Sequence, residues 1–157
     1  LSLVTLLKQN KMGNSATHRL YERIESGHMI LLDTRNLHLL IQLLRDPKRT
    51  IKRLDLDGGD LTSDRTNAVL RLAEALELTS ESRSSELEAL YLNNFKTNNE
   101  GIRAISNFVK TSSLCTLRLE NCGIDDASAF LIGESLQTNT SMKILDLDHK
   151  HENTRSL

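Results

Sequence analysis

The chain has 157 residues, with 20 Lys and Arg against 21 Asp and Glu, and only 3% of its residues are aromatic. This length allows one ordinary domain. A formal net charge of −1 argues against a nucleic-acid-binding surface, which needs a clustered basic stripe and stacking aromatic rings. No apolar run approaches the roughly 20 residues of a membrane helix, so a membrane-spanning role is not expected.

The first fifty residues have the least regular pattern. An apolar helical stripe from Leu37 to Leu44 leads towards Pro47, which ends it. Upstream, Leu20 lies 34 residues before Leu54, and this spacing favours it over the apolar run MILLD as the position of an earlier strand. Residues 1–36 are therefore interpreted as a degenerate repeat or, alternatively, as a helical N-terminal cap on the units that follow.

From residue 51 onwards one apolar pattern recurs four times. The segments are IKRLDL at Ile51, LEALYL at Leu87, LCTLRL at Leu114 and MKILDL at Met142. The second apolar positions of the four segments are separated by 36, 27 and 28 residues. The alternation predicts short strands near 51–57, 87–93, 114–120 and 142–148, and a period of tens of residues is typical of a solenoid.

Each of the first three strands is followed by a polar turn and by apolar residues at helical spacing. These residues are Ala68, Val69, Leu72, Ala73 and Leu76, then Ile102, Ile105, Phe108 and Val109, then Ala127, Phe130, Leu131, Gly133 and Leu136. Stacked strand–helix units would bury such stripes together. The longer first interval is explained by the polar loop TSESRSSE at 79–86, in which Ser84 and Ser85 are interpreted as loop residues rather than phosphorylation sites.

The segments LEALYLNNF and LCTLRLENCGI, with the helix and NTSMKILDL that follow, resemble the leucine-rich repeat family in its ribonuclease-inhibitor-like class. The unit at 114–141 is closest, since Cys122 occupies the position whose side chain bonds the turn backbone in that family. Gly59 and Phe95 occupy that position in the other units, and Thr97 replaces the following apolar anchor.

The resemblance covers about residues 37–148 and implies an α/β solenoid with about three to four recognisable repeats. It places a curved parallel sheet on the concave side and helices on the convex side. The chain is expected to be a fragment of a longer array, with residues 149–157 forming a tail.

The two cysteines are predicted to be reduced. Cys115 precedes a predicted strand and Cys122 follows it, so extended backbone would hold them roughly 20 Å apart, too far for a disulfide. Reduced thiols favour a cytoplasmic location. The glycosylation sequon at Asn139 points the other way, but its place in a helix-to-strand turn gives this asparagine a structural explanation.

Strand residues between the buried leucines are the candidate binding positions. We expect a partner protein to bind Arg53, Asp55, Asp57, Tyr91, Asn93, Arg118, Glu120, Asp146 and Asp148. The excess of carboxylates over guanidiniums favours a partner with a basic surface. Tyr91 and Arg118 are the expected centre, because Tyr and Arg are enriched among residues that dominate binding energy.

Catalytic motifs are not found in the sequence, so an enzyme, a cofactor and a small-molecule substrate are not expected. The chain is interpreted as a non-catalytic protein–protein interaction module. The resemblance leaves an alternative open, a regulator of a GTPase or another signalling enzyme, as in Ran GTPase-activating protein or the sensor repeats of immune receptors. A third, weaker hypothesis is zinc binding by His149 and His151 in the tail.

Overall fold

The computed structural model describes residues 16–46, 49–61, 65–80 and 86–147. Helical residues 16–25, here α1, come first. The remaining elements are β1 (Ile30–Leu31), α2 (Thr34–Leu44), β2 (Arg53–Asp57), α3 (Arg65–Ser80), β3 (Ala89–Asn93), α4 (Asn99–Thr111), β4 (Thr116–Glu120), α5 (Asp126–Leu136) and β5 (Ile144–Asp146).

The five strands form one parallel sheet in the order β1-β2-β3-β4-β5, so the chain has an α/β fold. Strands β2 to β5 all lie within segments that carry the recurring apolar pattern. The register joins equivalent leucines, because Leu54 pairs with Leu90, Leu90 with Leu117, and Leu117 with Leu145. Strand neighbours in the sequence are therefore neighbours in the sheet, and each step along the sheet is one strand–helix unit.

The core lies between one face of the sheet and the helices. Strand leucines such as Leu56 and Leu92 are fully buried in one cluster with the apolar residues of α2, α3 and α4. The stripes expected in α3 and α4 are confirmed, since every residue named for them is buried. Short polar side chains begin the helices: Asn98 accepts from the Gly101 N–H at 2.8 Å, and Asp125 accepts from the Ser128 N–H at 2.8 Å.

The position expected for the first strand is wrong. Leu20 lies in α1, where it and Ile24 share one helix face and are both buried. The strand forms instead in the run MILLD, with Ile30 paired to Leu56 and Leu31 paired to Asp57. The two residues of this strand face opposite sides of the sheet, since Ile30 is buried and Leu31 is 45% exposed. The sequence does not show this alternation, because both residues are apolar. Whether residues 1–36 are a cap or a divergent repeat stays a prediction.

The stripe expected in α5 is only partly confirmed. In this helix Leu131 and Leu136 are partly buried against the core, but Ala127 and Gly133 are exposed. Its buried residues are Ser128, Ile132 and Ser135, whereas Phe130 is 66% exposed. The helix packs on α4, and its buried face combines Ile132 with two serines, which apolar spacing alone does not identify.

No helix among the described residues is long and apolar enough to cross a membrane.

Candidate partner-binding face

The strand residues that alternate with the buried leucines form the side of the sheet opposite the helices. We call this surface the open face; its described members are Leu31, Arg53, Asp55, Asp57, Ala89, Tyr91, Asn93, Thr116, Arg118, Glu120, Ile144 and Asp146. The register arranges them in rows across the strands. The central row joins Asp55 to Tyr91, Tyr91 to Arg118, and Arg118 to Asp146.

Tyr91 lies between two arginines on the open face. The guanidinium carbon of Arg53 is 4.4 Å from the centroid of the tyrosine ring, and that of Arg118 is 5.5 Å from it. Both distances fall within the range of cation–π attraction. The sequence prediction grouped Tyr91 with Arg118, and the structure brings Arg53 to the same ring.

Each arginine also pairs with a carboxylate. Arg53 Nη2 lies 3.3 Å from Asp55 Oδ2, and Arg118 Nε lies 2.9 Å from Asp146 Oδ2. The Asn93 amide extends the network by donating to Asp55 Oδ1 at 3.4 Å. These half-exposed contacts contribute little to stability individually, but together they restrict the rotamers of the side chains around Tyr91.

The remaining carboxylates of the described open face belong to Asp57 and Glu120, outside the two arginine pairs. They share a row with Asn93 at the carboxyl ends of the strands. Asp57 is held by neutral donors: the Gly59 N–H donates to Oδ1 at 2.8 Å, and the Asn94 amide donates to both oxygens at 3.1 and 3.0 Å. These bonds fix the position of the carboxylate and leave its charge in place.

Asn94 and Asn121 form a side-chain ladder that the sequence interpretation missed. The Asn121 amide donates to Asn94 Oδ1 at 2.8 Å, which continues the line of bonds from Asp57. Both asparagines have positive φ, 60° and 53°, a conformation that Asn tolerates better than most residues. Their separation of 27 residues equals the interval between the neighbouring strands, and this spacing was the available signal.

Cys115 and Cys122 are both free thiols, as predicted. The Cys122 thiol donates to the carbonyl oxygens of Leu92 at 3.3 Å and Glu120 at 3.4 Å. Burial raises its pKa to about 11. The Cys122 carbonyl accepts from the Thr97 hydroxyl at 2.8 Å. This cysteine therefore joins neighbouring turns and is not a reactive thiol at neutral pH.

Asn139 has the structural role in the helix-to-strand turn that its position suggested. Its amide donates to the carbonyls of Val109, at 2.5 Å, and Ser112, at 3.2 Å. Its oxygen accepts from the backbone N–H groups of Ser141 and Met142 at 2.8 and 2.7 Å. A glycan on this nitrogen would be incompatible with the two bonds that it donates.

Zinc binding and a binding role for Asp148 are the two predictions that concern the end of the chain. No group of three or more His, Cys, Asp or Glu within the described ranges could hold a metal ion. Asp148, His149 and His151 lie outside those ranges, so the zinc hypothesis and the contribution of Asp148 stay predictions.

No family model matches the chain, and no curated protein matches it significantly. The geometry of the open face is therefore the basis for a functional proposal.

Proposed function

We propose that this chain is a non-catalytic interaction module of the leucine-rich repeat type that binds a partner protein on the open face. The arrangement of Arg53, Tyr91 and Arg118 is the observation that supports it. Tyrosine and arginine are the residue types that most often dominate binding energy. Here Asp55 and Asp146 restrain both arginines before any partner arrives, so less side-chain entropy is lost on binding.

The consecutive parallel strands, with helices on one side of the sheet, fit a repeat solenoid. In such a solenoid the open face would be the concave surface. A cytoplasmic location belongs to the same proposal and is supported by the two free thiols.

The charge of the open face favours a partner with a basic surface. Among the described residues of this face, four carboxylates accompany two guanidiniums. Because the arginines pair with Asp55 and Asp146, reversing either of those acids would also release an arginine. Asp57→Asn is the cleaner substitution, since it removes the charge but keeps an oxygen for the Gly59 N–H. We expect it to slow association more than it speeds dissociation.

The proposal is tested by capturing partners on the immobilised chain and then measuring the affinity of one identified partner. Tyr91→Ala with Arg118→Ala should weaken that affinity by about tenfold or more. Arg103→Ala with Lys110→Ala is the matched control, because both residues are exposed on α4. A partner bound equally well by the open-face variant and the wild-type chain would contradict the proposal.

A further inference from the structure

Positive charge borders the open face at the amino ends of the strands. Backbone hydrogen bonds from each N–H to the preceding carbonyl join one row of residues there, which we call the amino-end row: Lys52, Glu88, Cys115 and Lys143. Lys52, Glu88 and Lys143 are all exposed. Lys52 Nζ lies 3.5 Å from Glu88 Oε1, so the charge of Lys143 is in excess within this row.

Negative charge lies at the opposite, carboxyl ends of the strands. There Asp57, Asn93 and Glu120 share a row, which carries two carboxylates and no cation. The described turns after β2 and β3 add one acid and one base, which leaves this balance unchanged. The N-termini of α4 and α5 reach the same edge, but Glu100 and Asp126 in their first turns offset the positive ends of the helix dipoles.

The centre of the open face is neutral by comparison. The guanidiniums of Arg53 and Arg118 lie by the Tyr91 ring and pair with the carboxylates of Asp55 and Asp146. A partner side chain that packs on Tyr91 therefore meets an aromatic ring among charges that are already paired. Along the strands, the surface thus changes from ammonium groups through a neutral aromatic centre to carboxylates.

Strand geometry sets the separation of the two charged ends. The backbone rises about 3.3 Å per residue, so the rows that contain Lys52 and Asp57 are about 16 Å apart. This is about two Debye lengths at physiological ionic strength, so each end acts separately on the partner charge nearest to it. An extended segment covers the distance in about five residues, and a helix covers it in about eleven.

We propose that the open face selects a segment of the partner protein whose acidic and basic residues are separated at opposite ends. The segment would lie along the strands, with its acids beside the amino-end row, an apolar side chain on Tyr91, and its bases beside Asp57 and Glu120. This inference rests on the proposed function and specifies the charge pattern of the partner. A segment with the same charges evenly mixed would bring like charges together at both ends, which lowers affinity.

Charged paramagnetic probes test the polarity of the surface on the unsubstituted chain. An anionic nitroxide should broaden the amide signals of Lys52 and Lys143 more than a cationic nitroxide does. The cationic nitroxide should have the larger effect on Asp57 and Glu120. Equal effects of the two nitroxides at both ends would overturn the proposal, whichever partner the chain binds.

Two synthetic peptides of identical composition test the selection itself. Each has a central leucine; one carries glutamates at one end and lysines at the other, and the second carries them in alternation. In titrations of the full chain followed by amide chemical shifts, the peptide with separated charges should bind about fivefold more tightly and shift signals of β2, β3 and β4. Equal binding of the two peptides, or binding by neither, would overturn the proposal.

Single substitutions locate the two ends of the bound peptide. Asp57→Asn and Lys143→Gln should each weaken binding of the peptide with separated charges by about threefold. Glu134→Gln and Arg103→Gln remove the same charges from exposed positions on the helices and should have no effect. Equal effects of open-face and helix variants would contradict the proposed placement. If the captured partner still requires Tyr91 and Arg118 while both peptides bind alike, the proposed function stands and the charge pattern is wrong.

Discussion

Cys122 couples the stability of this fold to alkaline pH. Burial raises the pKa of its thiol from 9.0 to about 11, so the folded chain holds the proton more tightly than the unfolded chain. The stabilisation is complete below pH 9 and is lost as pH rises towards 11. We predict that this residue lowers the free energy of unfolding by about 2–3 kcal/mol across that interval.

Urea unfolding at a series of pH values measures the effect. Cys122→Ser is the comparison variant, because a hydroxyl can still donate to the Leu92 carbonyl but does not ionise in this range. The variant should show a smaller loss of stability between pH 9 and 11. Identical pH profiles would contradict the assignment to Cys122.

Gly58 is required by the ring of Phe95. A Cβ at position 58 would lie 3.1 Å from Cδ1 and Cγ of Phe95, which is fully buried. We therefore expect Gly58→Ala to destabilise the chain by about 1–3 kcal/mol. Phe95→Leu should recover part of this loss, and a double-mutant cycle measured by urea unfolding should give a coupling of about 0.5 kcal/mol or more.

Gly133→Ala provides the matched control for that cycle. A Cβ at this helical position meets no atom within 4 Å, so the substitution should be neutral or stabilise the chain by up to about 1 kcal/mol. Strict additivity of Gly58→Ala and Phe95→Leu would show that the ring does not set the need for glycine.

At the scale of elements, the turns after β3 and β4 depend on left-handed asparagines. Asn94→Ala removes the bonds to Asp57 and Asn121 and places alanine at φ 60°, so it should cost about 2–3 kcal/mol. Asn121→Gly relieves the strain of φ 53° and loses one exposed bond, so its effect should stay within about 0.5 kcal/mol. Urea unfolding measures the loss of stability in both variants. Equal losses for Asn94→Ala and Asn121→Gly would contradict the prediction.

Strands β2 to β4 and helices α3 and α4 were predictable because their apolar residues recur along the chain at strand or helix spacing. Strands β2, β3 and β4 each contain two leucines at alternate positions, and the stripes of α3 and α4 match their buried faces. Strand β1 was missed because it has only two residues within a continuous apolar run. The buried face of α5 was missed in part because it includes Ser128 and Ser135, which are polar and do not contribute to an apolar pattern.

The residues of the open face were predictable from the sequence, but the contacts between their side chains were not. Alternation with the leucines identifies Tyr91 and Arg118, and the 27-residue interval places them side by side. The position of Arg53 over the same ring depends on a side-chain rotamer, which no pattern of residue types specifies. The excess of carboxylates was visible in the sequence, but which of them pair with the arginines was not: Asp55 and Asp146 do, whereas Asp57 and Glu120 lie in a neighbouring row.

At the scale of the whole molecule, one continuous core runs from α1 to α5, and its two ends differ. The α1 end is closed by buried Leu20 and Ile24, whereas Leu145 at the β5 end is 37% exposed. Stability in stacked units is approximately a sum over the units and their contacts. A unit covered on one side only should therefore unfold locally more often than a unit covered on both.

Equivalent leucines of the middle and last units measure this difference directly. Leu117→Ala should cost about 2–5 kcal/mol, because Leu117 is 0% exposed between two neighbouring strands. Leu145→Ala removes the same atoms from a partly hydrated site and should cost about 1 kcal/mol. Urea unfolding of both variants under the same conditions compares the two costs. Equal values would mean that Leu145 is as well covered as Leu117 in solution, and the β5 end would then not be the weaker end of the stack.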